Sequence, residues 1–189
     1  MATTVPFNQL TGVLQFYLAP KIEPEPLVNA TPGVNWVLIG ATDGDQKIKH
    51  AGSITWFRDN DHTGPVKGVR PEEDVMLSLT VVALTLEFYS RLINNVALLS
   101  TAAAPNTTKM PLKRDQTLTE YSLLLRGSAI SPYGLFPAQY YIPRGVQAAE
   151  PEPTFGKGNR AALALEFHAL EDDTQSNADR LGWLRAQTS

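Results

Sequence analysis

Apolar residues alternate along one segment of this chain with a period of two, and directly after it recur with a period near four. Val75, Leu77, Leu79 and Val81 alternate with smaller or polar residues, the pattern of a strand with one buried face. Directly afterwards the period changes. From Thr85, placed to cap a helix, the pairs Phe88/Tyr89, Leu92/Ile93 and Val96/Ala97 fall four apart. The spacing predicts one amphipathic helix over about 85–99 with its stripe packed on a sheet, ended by Asn94, Asn95 and the Ala-, Pro- and Thr-rich tract that follows.

Short strand candidates surround it, at Gly12 to Leu18, Asn35 to Ile39, Gln46 to His50, Ser53 to Arg58, Thr117 to Arg126, Phe136 to Ile142 and Ala161 to Leu170. In the fourth of these Ile54 and Trp56 share a face. Pro32-Gly33, Asp43-Gly44 and Ser131 to Gly134 read as turns, Asp43-Gly44 as a hairpin turn. Pro20, Pro24, Pro26 and Pro32 forbid a helix between them and give an extended segment, and Glu150 to Pro153 reads as a stiff connector. Strands do not alternate with helices and no repeat is visible. The expected fold is therefore mainly β: a β-sandwich or barrel of short antiparallel strands with one flanking helix, not a parallel α/β sheet.

The 189 residues, 43% apolar and 19% charged, suit one domain with a sizeable core, compact to a radius of gyration of about 16 Å. Within it, 1–11 reads as an N-terminal arm, 58–74 as a long charged loop and 150–189 as a C-terminal strand and tail. Residues 43–74 hold seven acids and five bases, against 19 and 16 in the whole chain, so both signs are concentrated there. Cysteine is absent, which removes disulfides, thiolate zinc sites and cysteine nucleophiles together. A net charge of −3 gives no basic field for holding DNA. The first basic residue is Lys21 and the apolar runs are short, so neither a secretory signal nor a membrane span is expected.

Catalytic motifs weigh little. Asp59, Asp61 and Thr63 match an Asp-x-Asp-x-Thr phosphoryl-transfer pattern, but Thr55-Trp56-Phe57-Arg58 before them is not a buried aliphatic strand and no βαβ unit follows. Phe155 to Arg160 lacks phosphate-loop spacing and reads as a turn into the last strand. Asp43-Gly44-Asp45 lacks the later ligands of a calcium loop. His50, His62 and His168 are widely separated, without the spacing of a helical zinc site, and Ser128 and Ser131 have no evident base. No catalytic, cofactor-binding or metal-binding residue is assigned, and the expected protein is not an enzyme.

In order along the chain, Gly12 to Pro20, Trp36 to Gly40, an acidic hairpin, Gly64 to Lys67, Arg70 to Asp74 and Val75 to Asn94 with Leu84-Thr85-Leu86-Glu87 at the helix start, then Ala161 to Asp173 and Leu181 to Leu184, complete a pattern. It resembles the tail tube (major tail) proteins of long-tailed, siphovirus-type bacteriophages, over about two thirds of the chain. The resemblance implies homo-hexameric rings stacked into a hollow tube, inner sheets joined around a channel that DNA crosses without specific binding. Tape measure, tail terminator and distal tail proteins are the implied further partners. The implied location is the virion, after synthesis in the host cytoplasm, with no cofactor and no membrane.

Under that reading 58–74 forms a hairpin of about eight residues a side, reaching on the order of 26 Å to the next ring. Its Arg58, Asp59, Asp61, Lys67, Arg70, Glu72 and Glu73 would be inter-ring contacts that set register. The N-terminal arm and Pro20 to Pro32 are candidates for further contacts between subunits, ordered on assembly. The alternatives are a tail terminator or distal tail protein, a ligand-binding β-sandwich module using Tyr133, Tyr140 and Tyr141, and an enzyme built on Asp59 and Asp61.

Overall fold

A computed structural model describes residues 12–82, 85–93, 98–101, 106–112, 117–157 and 159–188. The elements are β1 (Gln15–Pro20), β2 (Val37–Leu38), β3 (Thr42–Phe57), β4 (Lys67–Val81), α1 (Leu86–Leu92), β5 (Leu99–Thr101), β6 (Thr107–Lys109), β7 (Glu120–Gly127), β8 (Ala138–Gln147), β9 (Thr154–Gly156), β10 (Asn159–Ala169) and β11 (Trp183–Ala186). The fold is mainly β. One antiparallel sheet runs β2-β1-β7-β8-β10-β4-β3, with β11 on β8 and β9 on β10, and β5 and β6 pair separately.

The sheet curls around its inner face. β7 and β8 lie between β1 and β10, yet the rings of Phe16 and Phe167 meet across the core at 5.5 Å. The two ends of the strand order approach as well, because Gln46 Nε2 of β3 donates to the Leu14 carbonyl just before β1 (2.8 Å). Inside lie Leu18, Ile39, Leu77, Leu79, Leu123, Leu163 and Leu165. α1 caps this core with Leu92 and the partly buried Phe88 and Tyr89, so the periodic stripe packs on the sheet as its spacing predicts. Thr85 is its N-cap, its hydroxyl accepting from Phe88 N (3.3 Å). The helix is shorter than the stripe suggests: it closes at Ile93, where Asn94 and Asn95, poor helix formers, follow, and Leu99–Thr101 is already a strand. Residues 94–97 lie outside the described residues, as does the N-terminal arm 1–11.

A second cluster, Ala19, Trp36, Leu124 and Tyr141 with Tyr17 and Trp183, occupies the opposite face of β1, β7 and β8. The proline-rich segment after β1 packs against it and is fastened to its own subunit. Glu25, whose side chain is 9% exposed, accepts from Trp183 Nε1 (2.9 Å), Gln139 Nε2 (2.7 Å) and Arg185 Nη2 (2.9 Å). Arg126 donates to the carbonyls of Leu27, Val28 and Ala30, and Tyr141 Oη to that of Glu23 (2.6 Å). Ser122, fully buried, accepts from Glu23 N (3.0 Å) and donates to Pro143 O (2.8 Å). Pro143 itself stands inside β8, which extends beyond the expected Phe136 to Ile142. The register slip between Tyr121 and Leu123 on β7 accommodates a residue that cannot donate to the ladder.

The largest departure from expectation is the β3–β4 hairpin. Asp43-Gly44 is not its turn: Gly44, at φ +70°, sits within β3 where the register slips between Asp43 and Lys47, so the separate strands expected at 46–50 and 53–58 form one strand of 16 residues. The charged stretch 58–74 divides, with 58–66 as loop and Lys67 to Asp74 as the first half of β4. Asn35 to Ile39 contributes only the two residues of β2.

Phe167 is wholly buried against Phe16, so Phe167→Ala should cost about 3–5 kcal/mol, read as a lowered denaturant midpoint with an unchanged slope. A second expectation concerns acid. Arg144 holds the Glu120 carboxyl below its ordinary range through two 3.0 Å hydrogen bonds. The Thr174 hydroxyl (2.7 Å) does the same for Asp172, against the opposing effect of burial. Carboxyls depressed in the folded state stabilise it above the ordinary carboxylate range, and that contribution is lost as pH falls through the folded values. The melting temperature should therefore drop from about pH 6 to pH 3. A Glu120→Gln/Asp172→Asn variant should start lower at neutral pH and fall less steeply.

Candidate functional site

β4 has two neighbours only over its inner half. β10 pairs with it from Leu163↔Val81 to His168↔Met76, and β10 ends one residue later. Beyond that point β3 and β4 continue alone, from Ala51↔Asp74 to Phe57↔Lys67, and Val66 N donates to Phe57 O (2.9 Å) at the tip. The result is a two-stranded arm of about seven residues a side, on the order of 23 Å long.

Its two faces follow from the alternation and from one slip. Ser53 pairs with Glu72 but Thr55 with Val69, so Arg70 and Pro71 together stand opposite Ile54. One face carries Ile54 and Trp56 with Arg70 and Glu73; the other carries Thr55, Phe57, Lys67, Val69 and Glu72. Trp56 pairs with Gly68 and lies over it so closely that a Cβ there would meet the indole at 2.7 Å. Trp56 remains 57% and Phe57 53% exposed, and Ile54, Val66 and Val69 are exposed too. An isolated ribbon is marginal in water, and among the described residues the apolar side chains on both of its faces are left about half exposed.

The seven residues marked from sequence lie together on this arm. Arg58, Asp59 and Asp61 are in the tip loop, and Lys67, Arg70, Glu72 and Glu73 are on the exposed half of β4. Asp59 holds the loop's shape, accepting from Asp61 N (3.2 Å), His62 N (2.9 Å) and His62 Nδ1 (2.7 Å). Arg70 Nη1 and Glu73 Oε1 are 3.5 Å apart, as are Ser53 Oγ and Glu72 Oε2. The phosphoryl-transfer pattern is thus placed at the exposed end of an antiparallel ribbon, where no buried parallel strand presents its carboxylates.

Sequence reasoning missed the root of the arm. On β10, His168 turns Nδ1 to Asp74 Oδ2 (2.8 Å) and Nε2 to Glu166 Oε1 (3.2 Å). Asp74 is the last residue before β4 enters the sheet, so this bridge ties the arm's base to the domain. Glu166 and His168 at i, i+2 announce a shared polar face; the pairing with a residue 94 positions away does not follow from any local signal. The three tyrosines of the ligand-binding alternative do not converge. Tyr141 is buried with Trp183 at 4.7 Å, Tyr140 packs on the opposite core, and Tyr133 is exposed.

A second surface lies at the other end of the strand order. The start of β1, the 28–32 segment and the β7–β8 turn enclose an open groove of about 660 Å³, lined by Val13, Tyr17, Val28, Pro32, Phe136 and Pro137. Val13 is 85% exposed, and Leu27, in the adjoining hollow, 70%.

No protein-family model and no curated protein matches the sequence. Among solved structures, the chain is similar to one from the cryo-EM structure of the anti-feeding prophage (AFP) baseplate, 6-fold symmetrised, with 9% identity, 94% of this chain and 93% of that chain covered, and a TM-score of 0.46.

Proposed function

We propose that the protein is a structural subunit of a bacteriophage tail, and specifically a tail tube protein: copies form hexameric rings that stack into the conduit for DNA ejection. The observation that carries this reading is the β3–β4 arm, a ribbon with a fringe of charge whose apolar side chains on both faces stand about half exposed among the described residues, an arrangement that cover by another molecule would stabilise. The order of sequence features shared with tail tube proteins supports the same conclusion. In this role the chain is not an enzyme. Arg58, Asp59, Asp61, Lys67, Arg70, Glu72 and Glu73 set the register of contacts between copies. Tape measure, terminator and distal tail proteins meet the ends of the stack, and the subunit resides in the virion after synthesis in the host cytoplasm. DNA crosses the lumen without specific contacts, in keeping with a net charge of −3.

The test is assembly with and without the arm. Gly52 pairs with Glu73, so replacing Ser53 to Glu72 by Asn-Gly closes the hairpin with a two-residue turn. The full-length protein should form rings or hollow tubes at rising concentration in negative-stain micrographs. The shortened protein should melt within a few degrees of it and stay monomeric. Tubes from the shortened protein would remove the arm from the assembly. Full-length rings that never elongate would favour a terminator or distal tail protein.

A further inference from the structure

The motif Asp43-Gly44, which reads as a hairpin turn in the sequence, lies instead inside β3, in a bulge where Gly44, Asp45 and Gln46 stand against Leu79 alone. We propose that this dipeptide is a site of spontaneous backbone modification, where Asp43 closes a succinimide on the Gly44 amide and reopens as isoaspartate.

Geometry favours the reaction here. The Gly44 N–H donates to Asp43 Oδ1 at 2.9 Å, so the attacking nitrogen is held beside an oxygen bonded to the carbon it must reach. Both residues are exposed. A Cβ built on Gly44 would meet nothing within 4 Å, so neither the five-membered ring nor the water that later opens it is obstructed. Carboxyls elsewhere turn to amides further along the chain. Asp59 accepts from the amides of Asp61 and His62, and Asp172 from that of Thr174. Of the nine aspartates only Asp43 precedes glycine, whose lack of a side chain leaves the amide open to reaction, and no asparagine does.

The chemistry needs no partner beyond water. The Gly44 nitrogen gives up its proton and bonds to Asp43 Cγ, while the Cγ–O bond of the carboxylic acid breaks and its hydroxyl leaves with that proton as water. Water then adds back across one of the two imide C–N bonds. Opening at Cγ restores aspartate. Opening at the main-chain carbonyl of Asp43 routes the backbone through Cβ and Cγ, which adds one carbon to the main chain and leaves a free α-carboxylate.

That added atom falls at the seam of the curled sheet. Gln46 Nε2 donates to Thr42 Oγ1 (2.9 Å) and to Leu14 O (2.8 Å), so one side chain spans the reacting pair and joins β3 to the chain before β1. A longer backbone between Thr42 and Gln46 changes the spacing on which both bonds depend. Isoaspartate at position 43 therefore loosens the closure of the sheet, and time rather than a ligand sets the change.

Dispersed, full-length protein is held at neutral pH and physiological temperature for several weeks, beside protein unfolded in guanidinium chloride and a folded Asp43→Glu variant, whose ring would need six members. Isoaspartate is read by methyl transfer from S-adenosylmethionine to its α-carboxylate with an isoaspartyl methyltransferase, and is located by peptide mapping as a second peak of unchanged mass. The folded protein should convert Asp43 within about tenfold of the unfolded rate, and Asp43→Glu should accept no methyl at that position. Conversion slowed by more than about tenfold on folding, or placed at another aspartate, would overturn the site. The melting temperature should fall as isoaspartate accumulates and stay constant in Asp43→Glu. Full conversion at a constant melting temperature would overturn the effect on the seam. These readings are taken on dispersed protein, so the tail-tube reading stands or falls separately.

Discussion

β10 ends at Ala169, and that ending shapes the molecule. Up to that point β4 is a central strand, covered inside by the core and paired on both edges. Beyond it, among the described residues, the same strand keeps a single neighbour and its residues are exposed up to Glu73. The chain does not turn back there. β3 and β4 continue for about seven more residues each, which adds backbone hydrogen bonds but, among the described residues, buries no side chain fully. Such an extension is a cost to the isolated subunit. Five apolar side chains stand exposed on it, and under the proposed function contact between copies would offset that cost.

An exposed arm is useful only if its base is firm. His168 supplies one tie by standing between Asp74 of the arm and Glu166 of the sheet. The domain behind it is stiffened on its outer face by Arg126, Gln139, Trp183 and Ser122, which satisfy backbone groups and the Glu25 side chain of the proline-rich segment 20–32. Polar groups in that segment would otherwise be buried without partners, a situation costing about 1–3 kcal/mol for each. The same fastening builds one wall of the groove, since Arg126 engages the carbonyls of Val28 and Ala30, which line it.

What the sequence reveals of this structure tracks burial. Val75 to Val81, Ala161 to Ala169 and the α1 stripe each press one face into the core, so their apolar residues carry the period of the element. The outer arm has no buried face, and Lys67 to Asp74 therefore reads as loop although it is strand. Gly44 breaks the pattern of β3 with a bulge that looks like a turn, and Pro143 stands inside a strand because a second bulge admits it. The charged residues of the candidate site are visible as a cluster in sequence. The aromatic pair beside them is visible as residues, but exposure is a property of the fold and does not show in composition. Glu25 is the extreme case, its partners Gln139 and Trp183 lying 114 and 158 positions away.

Exposed apolar ribbons invite aggregation as readily as assembly, and this chain separates the two by position. Near the tip, where Trp56, Phe57 and Val66 cluster, the loop is charged with Arg58, Asp59 and Asp61. Towards the root, Arg70, Glu72, Glu73 and Asp74 line the arm, and Pro71 interrupts its edge. Charges and a proline on an unpaired edge discourage indiscriminate ladder pairing with any strand that passes. They leave the side-chain faces available to a surface of matching shape and charge. Backbone pairing is the same for every sequence, whereas contacts through side chains discriminate between partners. Under the proposed function, a subunit protected along its edge and apolar on its faces would stay dispersed at low concentration and associate where many copies meet in one register.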